Sequence, residues 1–127
     1  MLTNSNKLDV MFSLRKDFMH AIENKKPGTY PEWPVDISSK ESQQVIRDLA
    51  LKGVEEMFEA LGHLKNWKPH RDTSHPEVDK EEFLEEVVDA FNYFLSMLVL
   101  VNVSPDDLFN AYVHKDKKIH NRLESGY

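Results

Sequence analysis

Apolar residues return every three or four positions over most of this chain, and proline and glycine mark where the rhythm stops. Leu8, Met11, Phe18 and Ile22, widened by Met19, fit one face of a helix over residues 6–24. Arg15 falls inside that stripe. There an arginine either lays its stem along apolar neighbours and pairs its head, or meets a ligand at the edge of a cleft. Residues 25–37 contain Pro27, Gly28, Pro31 and Pro34, so regular helix is excluded. Tyr30 and Trp33 in this stretch are expected to hold it down on the core. Ser38 and Glu41 have capping-box spacing and open a long helix that is predicted to run to Trp67, before Pro69. On it Ile46, Ala50, Met57, Leu61 and Leu64 make a broad apolar face. Val45, Leu49, Lys52, Glu56, Glu59 and His63 make the adjoining stripe, with Gly53 and Ala60 between. A glycine inside a helix costs about 1 kcal/mol, so Gly53 implies the close approach of a helix or ligand.

Residues 68–79 read as a polar loop, and Lys65, Lys68, His70, Arg71 and His75 make a basic patch around it. Such a patch is either a solvated loop or a rim for an anionic ligand. Asp79, with Glu82 completing a box, opens the next helix, which is predicted to reach about Val101. Its first half carries Glu82, Glu85, Glu86 and Asp89. Its second half is apolar nearly all round, which implies burial on more than one side. In a chain this short, that requires a second subunit. Ser104-Pro105-Asp106-Asp107 is a strong helix start. Leu108, Tyr112, Lys115, Ile119 and Arg122 share a face of the last helix, and Gly126 marks its end. No segment makes a convincing strand. The expected fold is all-α, four main helices forming a bundle that homo-oligomerisation completes.

The length of 127 residues fits one domain, spanning 1–127. Asp and Glu number 22 against 16 Lys and Arg, a net charge of −6 that disfavours nucleic acid and anionic membranes as partners. With no cysteine, disulfides and thiolate chemistry are absent. The longest oily run, Phe94 to Val101, is too short to span a bilayer, and the start lacks a signal-peptide pattern. A cytoplasmic protein is expected.

Glu56-x-x-Glu59 and Glu86-x-x-Asp89 lie on different helices, and each pair stands on one helical face. Two such helices side by side bring four carboxylates together. Hard divalent cations relieve the cost of that arrangement, and Mg²⁺ also accepts water and phosphate oxygens. Two ions can activate a water and hold phosphoryl oxygens. His63 lies on the same side but lacks the partners of a zinc site. Read from spacing alone, the acids are equally consistent with solvated or salt-bridged helix faces.

With ExxE, a connector and ExxD, the chain resembles the all-α nucleoside triphosphate pyrophosphatases, the superfamily of the MazG proteins and the dimeric all-helical dUTPases. EEVVDAFNYFLSMLVLVNVSPDDLF is similar to the second metal helix and following turn of the dimeric dUTPase and phage dCTPase–dUTPase branch. YVHKDKKIHNRLESGY is similar to that branch's tail, with Tyr112, Lys115, Arg122, Gly126 and Tyr127 matching. LKNWK, with Lys65 and Trp67, resembles the end of the first metal helix, and LDVMFSLRKDF the opening helix. The chain departs from the family pattern at Asp116, Ile119 and Leu123 in the tail, and at Arg15, which stands at a glutamine position near where the branch selects its base.

The resemblance implies a Mg²⁺-dependent hydrolase, with Mn²⁺ as a substitute, that cleaves a deoxynucleoside triphosphate to the monophosphate and pyrophosphate. Glu56, Glu59, Glu86 and Asp89 would hold two or more ions, one glutamate also serving the attacking water. Lys115, Arg122, Tyr127, Lys65, Trp67, Asn92 and Arg15 would bind phosphate or nucleotide, with Asn92 near the sugar. The favoured substrate is dUTP. The alternatives are dCTP, a non-canonical nucleotide in a house-cleaning role, and a non-enzymatic helical oligomerisation module. The expected assembly is a homodimer or tetramer, in a bacterial cytoplasm or in a host's if the chain is phage-encoded.

Overall fold

Every helix begins where a side-chain oxygen takes N–H groups that the first turn leaves unpaired. Asn6 accepts from the Asp9 N–H, Ser39 from Ser42, Asp79 from Glu81 and Glu82, and Ser104 from Asp107. The computed structural model describes residues 6–126, and among them these caps open four helices: α1 Lys7–Lys25, α2 Lys40–Leu61, α3 Lys80–Leu100 and α4 Pro105–Ser125. No strand occurs among the described residues, so the all-α four-helix architecture stands as the pattern predicts. No single helix is long and apolar enough to cross a membrane.

Two start signals differ from expectation. Ser39, not Ser38, caps α2, because the Ser38 N–H is already taken by Asp36 Oδ1 at 3.0 Å. At α3, Asp79 Oδ1 accepts both first-turn N–H groups without a reciprocal bond from Glu82. The reciprocal box forms at α4, where the Asp107 carboxylate accepts from the Ser104 N–H at 3.0 Å. Those bonds hold the Asp107 carboxyl below its usual range.

α2 also stops six residues before the predicted Trp67. The Gly62 N–H is shared between the Phe58 and Glu59 carbonyls. His63 N–H then bonds Ala60 and Leu64 N–H bonds Leu61, the tighter spacing that ends an α-helix. Glycine at this point weakens the tendency to continue. Lys65 and Trp67 therefore stand on the α2–α3 connection.

α2 and α3 run antiparallel and form the main helix pair, and α1 packs chiefly on α3. The buried line of α2 is Ser42, Leu49, Gly53 and Ala60, not the broad face centred on Ile46 and Leu61. The small residues let α3 come close: a Cβ at Gly53 would stand 2.7 Å from Phe94 Cε1. Phe12, Met19, Leu49, Leu95, Val99 and Leu100 form the core, with Tyr30, Trp33, Val35 and Leu108 against it. Tyr30 and Trp33 thus hold their loop down, as expected. The Val35 N–H donates to the Leu100 carbonyl at 2.8 Å, and the His20 ring stacks on Trp33 at 4.6 Å.

The α3–α4 corner is closed by its own backbone. Asn102 adopts φ 61°, its N–H bonds the Val99 carbonyl at 3.1 Å, and the Val103 N–H bonds Leu98 at 3.0 Å. This is a Schellman ending with asparagine in the left-handed position. Ser104 starts α4 immediately, and α4 leaves at 107° to α3. It contacts α1 but neither α2 nor α3. Every residue from Phe109 to Gly126 is exposed.

Candidate metal centre and adjoining cleft

The seam that buries Gly53 and Ala60 carries Glu56 between them, and the same seam on α3 carries Glu86. Both carboxylates are half-buried as a result, while Glu59 and Asp89 lie exposed at its margin. Glu56, Glu86 and Asp89 each offer an oxygen, and those atoms lie within 4.8 Å of one another. Glu59 stands beside both Glu56 and Glu86, within reach of a shared proton. The helix pair therefore brings together all four acids singled out from the sequence.

Their electrostatics are unfavourable without a cation. Loss of hydration, followed by the nearby Glu59 carboxylate and the charges of Asp89 and Glu86, raises the Glu56 pKa. The Glu86 pKa is raised by desolvation first, then by Glu59 and Asp89, with His63 opposing. Among the described residues, no lysine or arginine forms a salt bridge with any of the four. Lys52, on the same stripe, pairs with Asp48 at 2.9 Å. The reading in which these are merely salt-bridged faces is thereby removed. The donor set is all carboxylate oxygen, which suits a hard divalent ion such as Mg²⁺ or Mn²⁺.

Beside the acids, α1 and α3 enclose a cavity of about 680 Å³, lined by apolar side chains such as Leu14, Phe18, Val88 and Phe91, with Arg15 and Asn92 as the polar groups. That balance, an apolar wall with few polar anchors, is typical of small-molecule clefts. Asn92 lies one helical turn from Asp89, so cleft and carboxylates adjoin. Arg15 Nε donates to the buried Ser96 hydroxyl at 2.7 Å, and the guanidinium carbon sits 4.9 Å from the Phe18 ring centroid. Both readings of Arg15 thus meet in one side chain, which is paired and also lines the cleft.

The remaining predicted contacts are elsewhere. Trp67 is 69% exposed on the connection, with the Lys68 ammonium 5.6 Å from its ring centroid. Lys65 joins Lys68 and Arg71 around a small cavity of about 230 Å³. Sequence reasoning did not foresee this basic cup as a shaped feature, although the clustered lysines were its signal. Tyr127 lies outside the described residues. Lys115 and Arg122 do not meet the acids of their own chain. At ~1.5 Å of rise per residue, Asp89 lies about 17 Å back from the corner and Lys115 about 15 Å out along α4, which with the 107° bend leaves their Cα atoms roughly 19 Å apart. Two extended side chains cannot bridge that gap, and Arg122 is farther still. No family model, curated protein or solved structure matches the chain.

Proposed function

We propose that the chain is a divalent-cation-dependent hydrolase of deoxynucleoside triphosphates. It releases the monophosphate and pyrophosphate, with dUTP the favoured substrate, dCTP the next, and works as a homo-oligomer. The observation that carries this reading is the convergence of Glu56, Glu86 and Asp89 oxygens within 4.8 Å, beside Glu59 and free of any basic partner among the described residues. The resemblance of the two carboxylate motifs to the all-α pyrophosphatases supports the substrate class.

Glu56, Glu59, Glu86 and Asp89 would hold the cation. When bound, it supplies charge neutralisation for phosphoryl oxygens and acidifies water. The chain's own groups do the rest. A carboxylate whose pKa is raised, as at Glu56 or Glu86, is suited to take a proton from the attacking water. Asn92 offers a hydrogen-bond donor and an acceptor to a sugar or base, and the apolar walls around it exclude water from that end. Arg15 offers donors only, so any free N–H it directs into the cleft favours a carbonyl oxygen, as in uracil.

The test is pyrophosphate release from dUTP, dCTP, dTTP and dATP with and without Mg²⁺. Glu59→Gln and Asp89→Asn should each nearly abolish turnover while the chain stays folded. Release by neither the wild type nor any metal-supplemented sample would reject the enzyme and leave the helical oligomerisation module. Equal kcat/KM on all four substrates would reject the pyrimidine assignment alone.

A further inference from the structure

Two surfaces of this chain lack partners. One is the outer rim of the α1–α3 cleft, where Met11, Leu14, Phe18, Leu84, Val88 and Phe91 remain exposed. The other is α4. At 100° per residue Leu108, Ile119, Tyr112 and Leu123 fall within one narrow arc, and Lys115 and Arg122 border it. Tyr112 is 73% exposed and Leu123 70%. A helix with an apolar stripe and no bundle beneath it gains little by standing free in water.

Charge decides which surface meets which. The cleft rim is acidic, since Glu81, Glu85 and Asp89 stand beside Leu84 and Val88 on α3. The outer half of α4 is basic, with Lys115, Lys117, Lys118 and Arg122 against Asp116 and Glu124. Two cleft rims face to face would bring like charges together, whereas α4 against the rim brings opposite ones. The α4 of the same chain cannot turn back, because the Asn102 corner holds it at 107° to α3.

We infer that α4 of one copy lies along the α1–α3 rim of a second copy, and that it delivers Lys115 and Arg122 to the second copy's carboxylates. The inference rests on the hydrolase reading for its consequence: each site then takes its metal-binding acids from one chain and its phosphate-neutralising cations from the other. It explains why Lys115 and Arg122 are stranded roughly 19 Å or more, by helix geometry, from the acids of their own chain. The nucleotide would occupy the polar floor at Arg15 and Asn92, with α4 closing the apolar rim above it.

Two measurements separate this inference from the hydrolase reading. The chain has no cysteine, so Tyr112→Cys and Leu84→Cys introduce single thiols at exposed positions. A short bismaleimide should join them into a covalent dimer when the two variants are mixed. Leu51→Cys, on the outer face of α2, should not join to Tyr112→Cys. Joining of Leu84→Cys to itself in place of Tyr112→Cys, or a chain that stays monomeric, would overturn the docking. In the second measurement, Glu86→Gln is mixed with the double variant Lys115→Ala/Arg122→Ala and allowed to exchange chains. Each parent is inactive, and the mixture should regain about one quarter of the wild-type rate, because half of the dimers are mixed and each has one complete site. A mixture that exchanges chains yet stays inactive overturns delivery in trans and leaves the hydrolase intact. A wild type that hydrolyses nothing but forms the Tyr112–Leu84 cross-link rejects the hydrolase and leaves the docking intact.

Discussion

Glu56 and Glu86 are held partly out of water beside other carboxylates, and the sign of their effect on stability follows from their raised pKa values. A carboxyl raised in the folded state contributes stability that is fully present below its unfolded value and is lost as pH rises through the folded one. The metal-free chain is therefore strained on the neutral side. Glu56→Gln, melted in the presence of a chelator, should unfold at a higher temperature than the wild type at neutral pH. The gain should shrink toward acid, where both states of the wild type are protonated. Adding Mn²⁺ should raise the wild-type melting temperature at neutral pH and leave Glu56→Gln much less affected. Arg15 makes a different claim. Ser96 is fully buried and accepts from Arg15 Nε, so Arg15→Met should cost about 1–3 kcal/mol by leaving that hydroxyl without its partner. Ser96→Ala in the same chain should recover much of the loss in a double-mutant cycle.

The corner between α3 and α4 depends on one left-handed residue. Asn102→Gly should be neutral or slightly stabilising, while Asn102→Val should cost about 1–2 kcal/mol, because a β-branched side chain opposes positive φ. Chemical denaturation of both variants checks this. Gly53→Ala tests the helix seam. The better helix propensity of alanine, about 1 kcal/mol, is set against a Cβ placed 2.7 Å from the Phe94 ring. A net loss of stability is expected, and with it weaker Mn²⁺ binding, since α3 must move away from α2 one turn from Glu56. The four helices were legible because their caps and breakers are local: Asn102, Ser104 and Pro105 announce the corner in the sequence itself. The end of α2 was not legible, because Leu64 and Trp67 continue the apolar spacing and nothing local opposed them except Gly62. The face that α2 buries was misjudged for a related reason. Apolar moment favours the side with larger residues, but close helix approach selected the side with Gly53 and Ala60.

At the scale of the molecule, the expectation of burial on all sides of α3 is not met within one chain. Phe91 is 50% exposed and Val88 46%. Leu51, Val54, Phe58 and Leu61 expose a further apolar stripe on the outer side of α2. Light scattering at micromolar concentration should accordingly give at least a dimer, and a clean 14.9 kDa species would contradict it. Because the rim of the cleft is acidic and α4 basic, association should weaken as salt rises, whereas an assembly held only by the α2 stripe should not. The carboxylate site was legible as four residues, since two Exx[ED] pairs need only helical geometry to converge. The direction of α4 was hidden, because it depends on a corner angle that sequence spacing does not encode, and so the distance of Lys115 and Arg122 from the acids was hidden with it.

α2 ends two residues beyond Glu59, with no basic side chain in its last turn, so its last carbonyls present a negative end without compensation. The carboxylates gather at this same end. A cation held there would act as the missing C-cap of α2. Amide hydrogen exchange should report it: the N–H groups of Phe58, Glu59, Ala60 and Leu61 should exchange quickly in the metal-free protein and slow when Mg²⁺ is added. Amides of the first turns of α2, near Ser42 at the far end, should keep the rates they had.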